Sequence, residues 1–366
     1  MLQTVQIYIS DYFCINYAIN YRISSILIFN NMMKSKYEAA FLVSILLLLL
    51  PVYGKCSGGF EEIAPGIYFR AGLQEEFSRS NRGHIANIGF IVGSERVAVI
   101  DTGSSLQEGQ MLRRAIRKIT DLPIAFVILT HMHPDHALGA AAFIQDRPRF
   151  IGHSQLGDAL VRRQSVYLNN MQRILGSIAE DTRVVLPDQA VSVDHVMRLD
   201  LGGRWLQLTA YPTAHTNNDL TIYDSKSGTF WLSDLLFIER IPVVDGSLLG
   251  WLKINERLSG MDCFNTSPYP DWQKKNRSEW LPQGCLKIVR VVPGHGPVVS
   301  DWQGALSRQQ HYLNRIADDI RKIIENDGTM TQAVEQAGID ENPNWLLFNE
   351  YHGRNVTAAF AELEWE

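Results

Sequence analysis

The sequence predicts an α/β protein built as a layered sandwich of two β-sheets covered by helices. Short β-branched and aromatic runs alternate with long helical patterns, strand-like runs occur both early and late, and no linker or repeat of fixed period divides the chain. Its 366 residues are 46% hydrophobic and 20% charged, which excludes a disordered chain. The net charge of −5 argues against nucleic-acid binding, which needs a basic surface.

Each element follows from its local pattern. Apolar residues at helical spacing predict helices over Leu106–Ile119, Leu156–Leu175 and Asp301–Glu325. Ile124–Leu129 is a continuous apolar run, so we expect a strand buried on both faces. The other predicted strands are Ile67–Arg70, Ile88–Val92, Val97–Ile100, Val191–Leu199, Trp205–Tyr211, Leu220–Tyr223, Phe230–Leu232 and Ile288–Val292.

The N-terminal segment has the features of a secretory signal peptide. Its apolar run, Ala39–Leu50, follows Lys34 and Lys36, precedes Gly54, and is shorter than the roughly twenty residues that cross a bilayer. We therefore expect residues 1–54 to be a signal peptide, with a buried helix or a retained membrane anchor as the alternatives. Within this segment, Met32 and Met33 stand where a signal peptide should begin, so we expect residues 1–31 to come from an over-extended start site.

Removal of this segment predicts a periplasmic or secreted protein with no membrane association after cleavage. Residues 55–366 are expected to form a single domain that ends in a helical segment, residues 301–366. Export implies an oxidising compartment, in which Cys263 and Cys285 could form a disulfide. The sequence leaves that bond open, and no CxxC spacing indicates a cysteine-based metal or redox motif.

The run from His131 to His136, His-Met-His-Pro-Asp-His, directly follows the predicted buried strand and Thr130. Loops at the carboxyl ends of strands commonly carry sites in α/β proteins. His131 and His133 are two residues apart, so in an extended turn they can converge on one cation, with Asp135 and His136 directed to a second. Imidazole and carboxylate ligands without thiolate suit Zn²⁺, with Fe or Mn possible.

This run resembles the His-x-His-x-Asp-His hallmark of the metallo-β-lactamase superfamily of metal-dependent hydrolases. The resemblance implies a four-layer αββα sandwich and three later ligands, matched by His215, by Asp234 at a strand end and by His295 in a Gly/Pro turn. It assigns one metal to His131, His133 and His215, and a second to Asp135, His136 and His295, with Asp234 bridging. Asp101 and Asp219 are expected to orient ligands rather than to bind metal.

The aspartate at position 234 narrows the resemblance. The commonest class-B lactamases use cysteine there, so the ligand set looks more like the thioester hydrolases of the glyoxalase-II kind. Over the mature length, the segments that begin at Phe69, Gly83 and Asp245 are similar to the exported quinoprotein relay system zinc metallohydrolases, which are related to the SoxH-type proteins of sulfur-oxidation clusters. That group's substrate is not given by the resemblance.

Together these features predict an exported dinuclear-zinc hydrolase in which a metal-bridging hydroxide attacks the carbonyl of a small thioester, ester or lactam. Asp135 is expected to accept a proton, and His84, Arg240 and the segment Asp245–Leu252 are candidates for contact with the substrate. One alternative is a β-lactamase, and another is a low-turnover metal-binding accessory protein of a quinoprotein or sulfur-oxidation system. Metal identity, substrate and oligomeric state stay open.

Overall fold

The computed structural model describes residues 59–261, 264–265 and 285–366. The chain divides into two units, Met1–Glu62 and Ile63–Glu366, and the fold below is that of the second, whose first strand begins two residues earlier, at Glu61. The predicted signal peptide and Cys263 lie outside the described residues. Within the described ranges, no helix combines the length and the apolar character that crossing a membrane requires.

Two large β-sheets form the centre of the described part of the chain. The first has seven strands, paired in chain order: β1 (Glu61–Ala64), β2 (Ile67–Arg70), β3 (Ile88–Val92), β4 (Val97–Ile100), β5 (Ile124–Ile128), β6 (Arg149–His153) and β7 (Gln189–Val191). The second has five, in the spatial order β14 (Arg290–His295), β11 (Thr229–Phe237), β10 (Leu220–Asp224), β9 (Trp205–Ala210) and β8 (Met197–Asp200). A separate ribbon pairs β12 (Phe264–Asn265) with β13 (Cys285–Leu286).

Helices connect and follow these strands. The first, α1 (Leu106–Ile119), is capped by Ser105, whose side chain accepts a hydrogen bond from the backbone N–H of Glu108. Arg117 and Lys118 lie in its last turn, where their positive charges interact favourably with the helix dipole. The helices are α1 (Leu106–Ile119), α2 (Pro134–Ala137), α3 (Leu156–Leu175), α4 (Leu248–Ser259), α5 (Trp302–Glu325), α6 (Met330–Gln336) and α7 (Phe348–Leu363). Short 3₁₀ turns lie at Ala140–Asp146, Gly176–Ala179 and Ile339–Asn344.

The core lies in layers. Between the sheets, apolar side chains such as Phe69 and Ile100 of the first sheet share one cluster with Leu208, Ile222 and Trp231 of the second. A second cluster fills the space between the second sheet and helices α4, α5, α6 and α7. The predicted α/β sandwich of two sheets and covering helices is therefore confirmed.

Most predicted elements agree with the structure to within a residue or two, but two strand predictions are wrong. Val191–Leu199 is not one strand, because a turn in which the N–H of His195 donates to the carbonyl of Ser192 separates β7 from β8. Phe230–Leu232 is only part of β11, which runs on through Asp234 to Phe237 and is buried along its whole length. Asp234 therefore lies inside a strand rather than at its end.

The sheets bring the candidate ligands to one edge. Strands β4 and β5 pair in parallel, so the turn at Asp101 and the run that starts at His131 leave the first sheet side by side. Strands β11 and β14 also pair in parallel, and this places Asp234 and His295 in neighbouring strands of the second sheet. Residues far apart in sequence therefore share one site.

Candidate metal centre

Seven histidine and aspartate side chains converge in two groups. The first group contains His131, His133, His215 and Asp234, and the second contains Asp135, His136 and His295; within each, one potential ligand atom per residue lies within 4.8 Å of the others. All are buried except His133, which is half-buried. These are the seven residues that the sequence singles out as candidate ligands, and the structure brings all of them together.

The first group has imidazole nitrogens facing one another at close range. Nε2 of His131 lies 3.1 Å, and Nε2 of His215 lies 3.0 Å, from Nδ1 of His133. A carboxylate oxygen of Asp234, Oδ2, lies 3.6 Å from Nε2 of His131 and 3.3 Å from Nε2 of His215. Three imidazoles and one carboxylate thus point at a common space.

The second group meets the first at Asp234. Nε2 of His136 lies 3.1 Å from Oδ1 of Asp234 and 3.7 Å from Oδ2 of Asp135. Nε2 of His295 lies 3.5 Å from Oδ2 of both aspartates. Because Asp234 contacts both groups, it occupies the position that a bridging ligand needs.

A direct test of fit to metal is whether the converging atoms have other partners. Nε2 of His136 and Oδ1 of Asp234 are both buried, and although they lie 3.1 Å apart, neither makes a hydrogen bond. Buried polar atoms left in this state are costly unless something else binds them. Imidazole and carboxylate are ligands that divalent Zn, Fe and Mn accept, so this set fits two such ions.

The outward-facing nitrogen of every histidine in the two groups already has an acceptor. Each of the five rings can therefore keep its proton on the outer nitrogen and leave the inner nitrogen as a lone-pair donor, the arrangement typical of metal-binding histidines. The outer pairs are His131 Nδ1 with Thr130 Oγ1 at 3.1 Å, His133 Nε2 with Asp245 Oδ2 at 3.0 Å, His136 Nδ1 with Asp101 Oδ2 at 2.8 Å, His215 Nδ1 with the Val243 carbonyl at 2.6 Å, and His295 Nδ1 with the Ile85 carbonyl at 2.9 Å.

Asp101 contacts a candidate ligand directly, whereas Asp219 contacts the residue after one. Asp101 accepts hydrogen bonds from the N–H and the hydroxyl of Thr130 as well as from His136. Asp219 accepts from the N–H and the hydroxyl of Thr216, which directly follows His215. Burial raises the pKa of Asp219 to about 6, although the charge on His215 opposes the shift.

Two of the three candidates for substrate contact, His84 and Arg240, lie outside both groups. Burial lowers the pKa of His84 to about 4, and the charged groups around it are Glu108, Arg70 and Arg82. Arg240 is only 3% exposed and donates to the hydroxyl of Tyr351 at 2.9 Å. The prediction that His84 and Arg240 contact the substrate stays a prediction.

Local backbone geometry delivers Asp234 to the site. Register shifts on either side of Ser233 break the pairing of β11 with β14, and Ser233 has a positive φ of 48°. On the facing strand, a Cβ at Gly294 would lie 1.7 Å from Oδ1 of Asp234, so this position accepts only glycine without a shift. The bulge and the glycine together make room for the carboxylate.

Charge within the site is unevenly distributed. Burial alone would raise the pKa of Asp234, but the charges of His136, His295 and His131 outweigh it and hold that pKa well below its usual range. Burial lowers the pKa of His131 well below its ordinary value. At His136 burial is outweighed by Asp234 and Asp101, which raise its pKa well above the ordinary value. A metal ion at Nε2 of His136 would compete with a proton for that nitrogen.

Several supporting residues carry no motif. Asp245 falls in a segment that the sequence assigns to substrate contact, and its role as the acceptor for His133 was not predicted. Asn87 donates to the carbonyls of Pro293 and Gly296 on either side of His295. The partners of His215 and His295 are backbone carbonyls, which any residue type would supply, so only their place in the fold reveals them.

A model of the metallo-beta-lactamase superfamily matches residues 81–295. This chain belongs to that superfamily, and it is a hydrolase whose histidine and aspartate groups fit divalent metal ions.

Among known relatives, the chain is 27% identical to the acyl-coenzyme A thioesterase MBLAC2 of Bos taurus over 255 residues, which cover 64% of this chain and 80% of that enzyme. It is 31% identical to a linear primary-alkylsulfatase of Pseudomonas sp. over 82 residues, 22% of this chain, and spans only 15% of the length of that enzyme. None of these matches is a quinoprotein relay protein, so that narrower resemblance stays a prediction.

Among solved structures, a metallo-beta-lactamase from Pontibacter korlensis aligns with a TM-score of 0.50 and 16% identity, covering 70% of this chain and 98% of its own. At this identity the likeness shows the fold alone.

Proposed function

We propose that this protein is a dinuclear zinc hydrolase of small acyl thioesters. The observation that carries the proposal is the convergence of seven ligand-type side chains in two groups that share Asp234. His131, His133 and His215 would hold one ion. Asp135, His136 and His295 would hold the other, with Asp234 between them. Iron or manganese in place of zinc would fit the same donors.

Two divalent ions bound here would supply a Lewis acid for the substrate carbonyl and lower the pKa of water towards about 7. The protein's own part is orientation. Its outer hydrogen bonds keep each imidazole in one tautomer, so the inner nitrogens need no rearrangement when metal binds.

Asp135 is the residue that we assign to proton transfer. It is 7% exposed, and its Oδ2 lies near Nε2 of both His136 and His295. Hydrolysis forms a C–O bond and breaks the C–S bond of the thioester, and a proton passes from the attacking water to the departing thiolate. The carboxylate of Asp135, next to two histidines of the second group, is placed to hold that proton in transit.

The choice of a thioester rests on two observations. The donors are all histidine and aspartate, a set that resembles that of the superfamily's thioester hydrolases. The relative aligned over 80% of its length is named an acyl-coenzyme A thioesterase. A lactam would be opened by the same chemistry, but the aligned lactamase shares only 16% identity and supports the fold alone. We therefore treat lactam hydrolysis as an outcome of the test.

Metal analysis and a substrate panel test the proposal. Purified protein should contain about two zinc equivalents. It should hydrolyse acyl-coenzyme A or S-lactoylglutathione-type thioesters, measured by the release of thiol, faster than it hydrolyses penicillins, carbapenems or alkyl sulfates. His133→Ala and Asp234→Asn should lose both metal and activity, whereas His195→Ala, at an exposed position outside the groups, should keep both. A metal-free protein that resists reconstitution would contradict the metal site, and full turnover of a lactam without thioesterase activity would contradict the substrate class.

We further propose, from the sequence alone, that the protein is exported and that it serves a quinoprotein or sulfur-oxidation system. The support is the signal-like segment before Gly54 and the similarity of the segments that begin at Phe69, Gly83 and Asp245. Fractionation of the producing cells with N-terminal sequencing would test export. A cytosolic protein that still begins at Met1 would contradict it.

A further inference from the structure

One loop supports two of the three histidines in the first group. Residues 240–248, here called the Asp245 loop, carry the carbonyl of Val243, which accepts from His215 at 2.6 Å, and the carboxylate of Asp245, which accepts from His133 at 3.0 Å. The backbone of the same loop also pairs with the segment around His215, since the N–H of Asp245 donates to the His215 carbonyl at 3.1 Å. Any movement of this loop would therefore move both imidazoles.

Helix α7 holds the Asp245 loop along its length. Near the start of the loop, the hydroxyl of Tyr351 accepts from Arg240 at 2.9 Å. Near its end, the Glu362 carboxylate accepts from the hydroxyl of Ser247 at 2.5 Å and from the N–H of Leu248 at 2.7 Å. The loop is thus attached to the helix at both ends.

Asn355 attaches the middle of the loop. Its side-chain N–H₂ donates to the carbonyl of Pro242 at 2.6 Å, and its side-chain oxygen accepts from the N–H of Val244 at 2.9 Å. These two bonds flank Val243, the residue whose carbonyl accepts from His215. Asn355 is fully buried and also donates to the hydroxyl of Tyr312 on α5, so its amide has little freedom to turn.

We propose that helix α7 is a positioning element of the first metal group, with Asn355 as its principal positioning residue. It acts through the Asp245 loop on His215 and His133. The inference rests on the proposed metal site and adds to it a part of the chain that lies beyond residues 81–295, the range that matches the superfamily model.

The second group draws its support from elsewhere. His136 is oriented by Asp101, in the turn after β4, and His295 by the carbonyl of Ile85, in the segment before β3. Neither acceptor belongs to the Asp245 loop. Loss of the α7 contacts should therefore weaken the first group selectively, and a general loss of stability would not show this selectivity.

The inference is tested by measuring the metal affinity of each group separately, in variants in which the other group is disabled. In a His295→Ala background, which disables the second group, adding Asn355→Ala should weaken binding of the remaining Co²⁺ or Zn²⁺ equivalent about 10-fold. This is the lower end of the cost of losing an outer partner, because Asn355 holds such a partner in place rather than being one. In a His215→Ala background, which disables the first group, Asn355→Ala should change the remaining affinity by no more than about twofold. Titration of the metal-stripped proteins against a chromophoric chelator gives both values without reference to activity.

Ile320→Ala provides a matched control for stability. Ile320 is fully buried on α5 in the cluster that also contains residues of α7, and its side chain cannot hydrogen-bond to the Asp245 loop. This variant should unfold more easily yet keep the affinity of both groups. Equal weakening in both backgrounds, weakening in neither, or the same selectivity from Ile320→Ala would overturn the inference.

Glu362→Ala serves if Asn355→Ala does not fold. Glu362 is only half-buried, so its loss should be tolerated, and the first group should again weaken more than the second. A Glu362→Gln variant, which keeps an acceptor for the loop, should recover part of the affinity. If the parent protein binds no metal in any form, the proposed function fails; if the parent binds two ions and the helix variants leave the first group unchanged, only the positioning role fails.

Discussion

Gly294→Ala adds one methyl group at the point where β14 faces Asp234. The new Cβ would lie 1.7 Å from Oδ1 and 2.8 Å from Cγ of the carboxylate, and 2.7 Å from the backbone nitrogen of the same residue. A rotation of the Asp234 side chain relieves only the first two contacts. Because the backbone nitrogen is also too close, β11 and β14 must separate as well.

The size of the effect follows from these distances. Oδ1 must retreat by more than 1 Å to reach an ordinary contact distance, and a misplacement of about 1 Å can already cost about 100-fold in rate. A 100-fold loss in kcat/KM corresponds to about 2.7 kcal/mol of transition-state stabilisation. Since Asp234 contacts both groups, we expect metal affinity to fall at both, together with about 1–3 kcal/mol of folding stability from overpacking.

Gly157→Ala is the matched control. It makes the same chemical change near the start of α3, where the nearest atom to the new Cβ is 4.0 Å away and alanine favours the helix by roughly 0.5–1 kcal/mol. Elemental analysis, urea denaturation and thioester hydrolysis would be measured on both variants. A Gly294→Ala protein that binds two ions and turns over at the parent rate would refute the placement of Asp234 between the groups.

Three further changes probe other parts of the molecule. Asp101→Asn should lower the metal affinity of the second group about 10–100-fold in a chelator competition, because an amide replaces the charged acceptor for His136, and unchanged affinity would contradict this. Arg204→Leu should cost about 3–5 kcal/mol in urea denaturation, since it leaves the fully buried Asp224 without its cationic partner and without both 2.8 Å hydrogen bonds from it. A cost near zero would count against the pair. Asp146→Asn should be less stable than the parent at neutral pH, and the difference in stability should shrink as the pH falls below about 4. The reason is that hydrogen bonds from two arginines, although opposed by burial, lower the pKa of Asp146 in the folded state. A margin equal at pH 7 and pH 3 would contradict that assignment.

The sequence was informative where local pattern determines structure. Strands β2, β3 and β4 and helices α1 and α3 have the predicted bounds, because each is a run of one periodicity ended by turn or cap residues. Four of the candidate ligands were also accessible, because the spacing of His131, His133, Asp135 and His136 is itself rare and short-range. The three later ligands, His215, Asp234 and His295, came only from the family resemblance. The partner acceptor Asp101 was accessible only through the family resemblance.

The bulge in β11 could not be predicted in the same way. The run Phe230–Leu232 shows a buried strand, but nothing in it shows that the strand continues past Ser233 with a residue at positive φ. That conformation depends on the pairing with β14, some sixty residues later, and on the missing side chain at Gly294. Tertiary contact therefore decided the local geometry that delivers Asp234.

The backbone hydrogen bonds that orient two of the histidines could not be predicted from the sequence at all. Val243 and Ile85 contribute only carbonyl oxygens, so substitution of their side chains would leave the acceptors in place, and no residue pattern can report them. A substitution can, however, remove the side chain that holds such a carbonyl in place. Asn355 is that side chain for Val243, and it lies more than a hundred residues from the histidine that it serves. Residues that control this site are therefore to be sought among buried amides on the C-terminal helices, as well as among the histidines and aspartates of the motif.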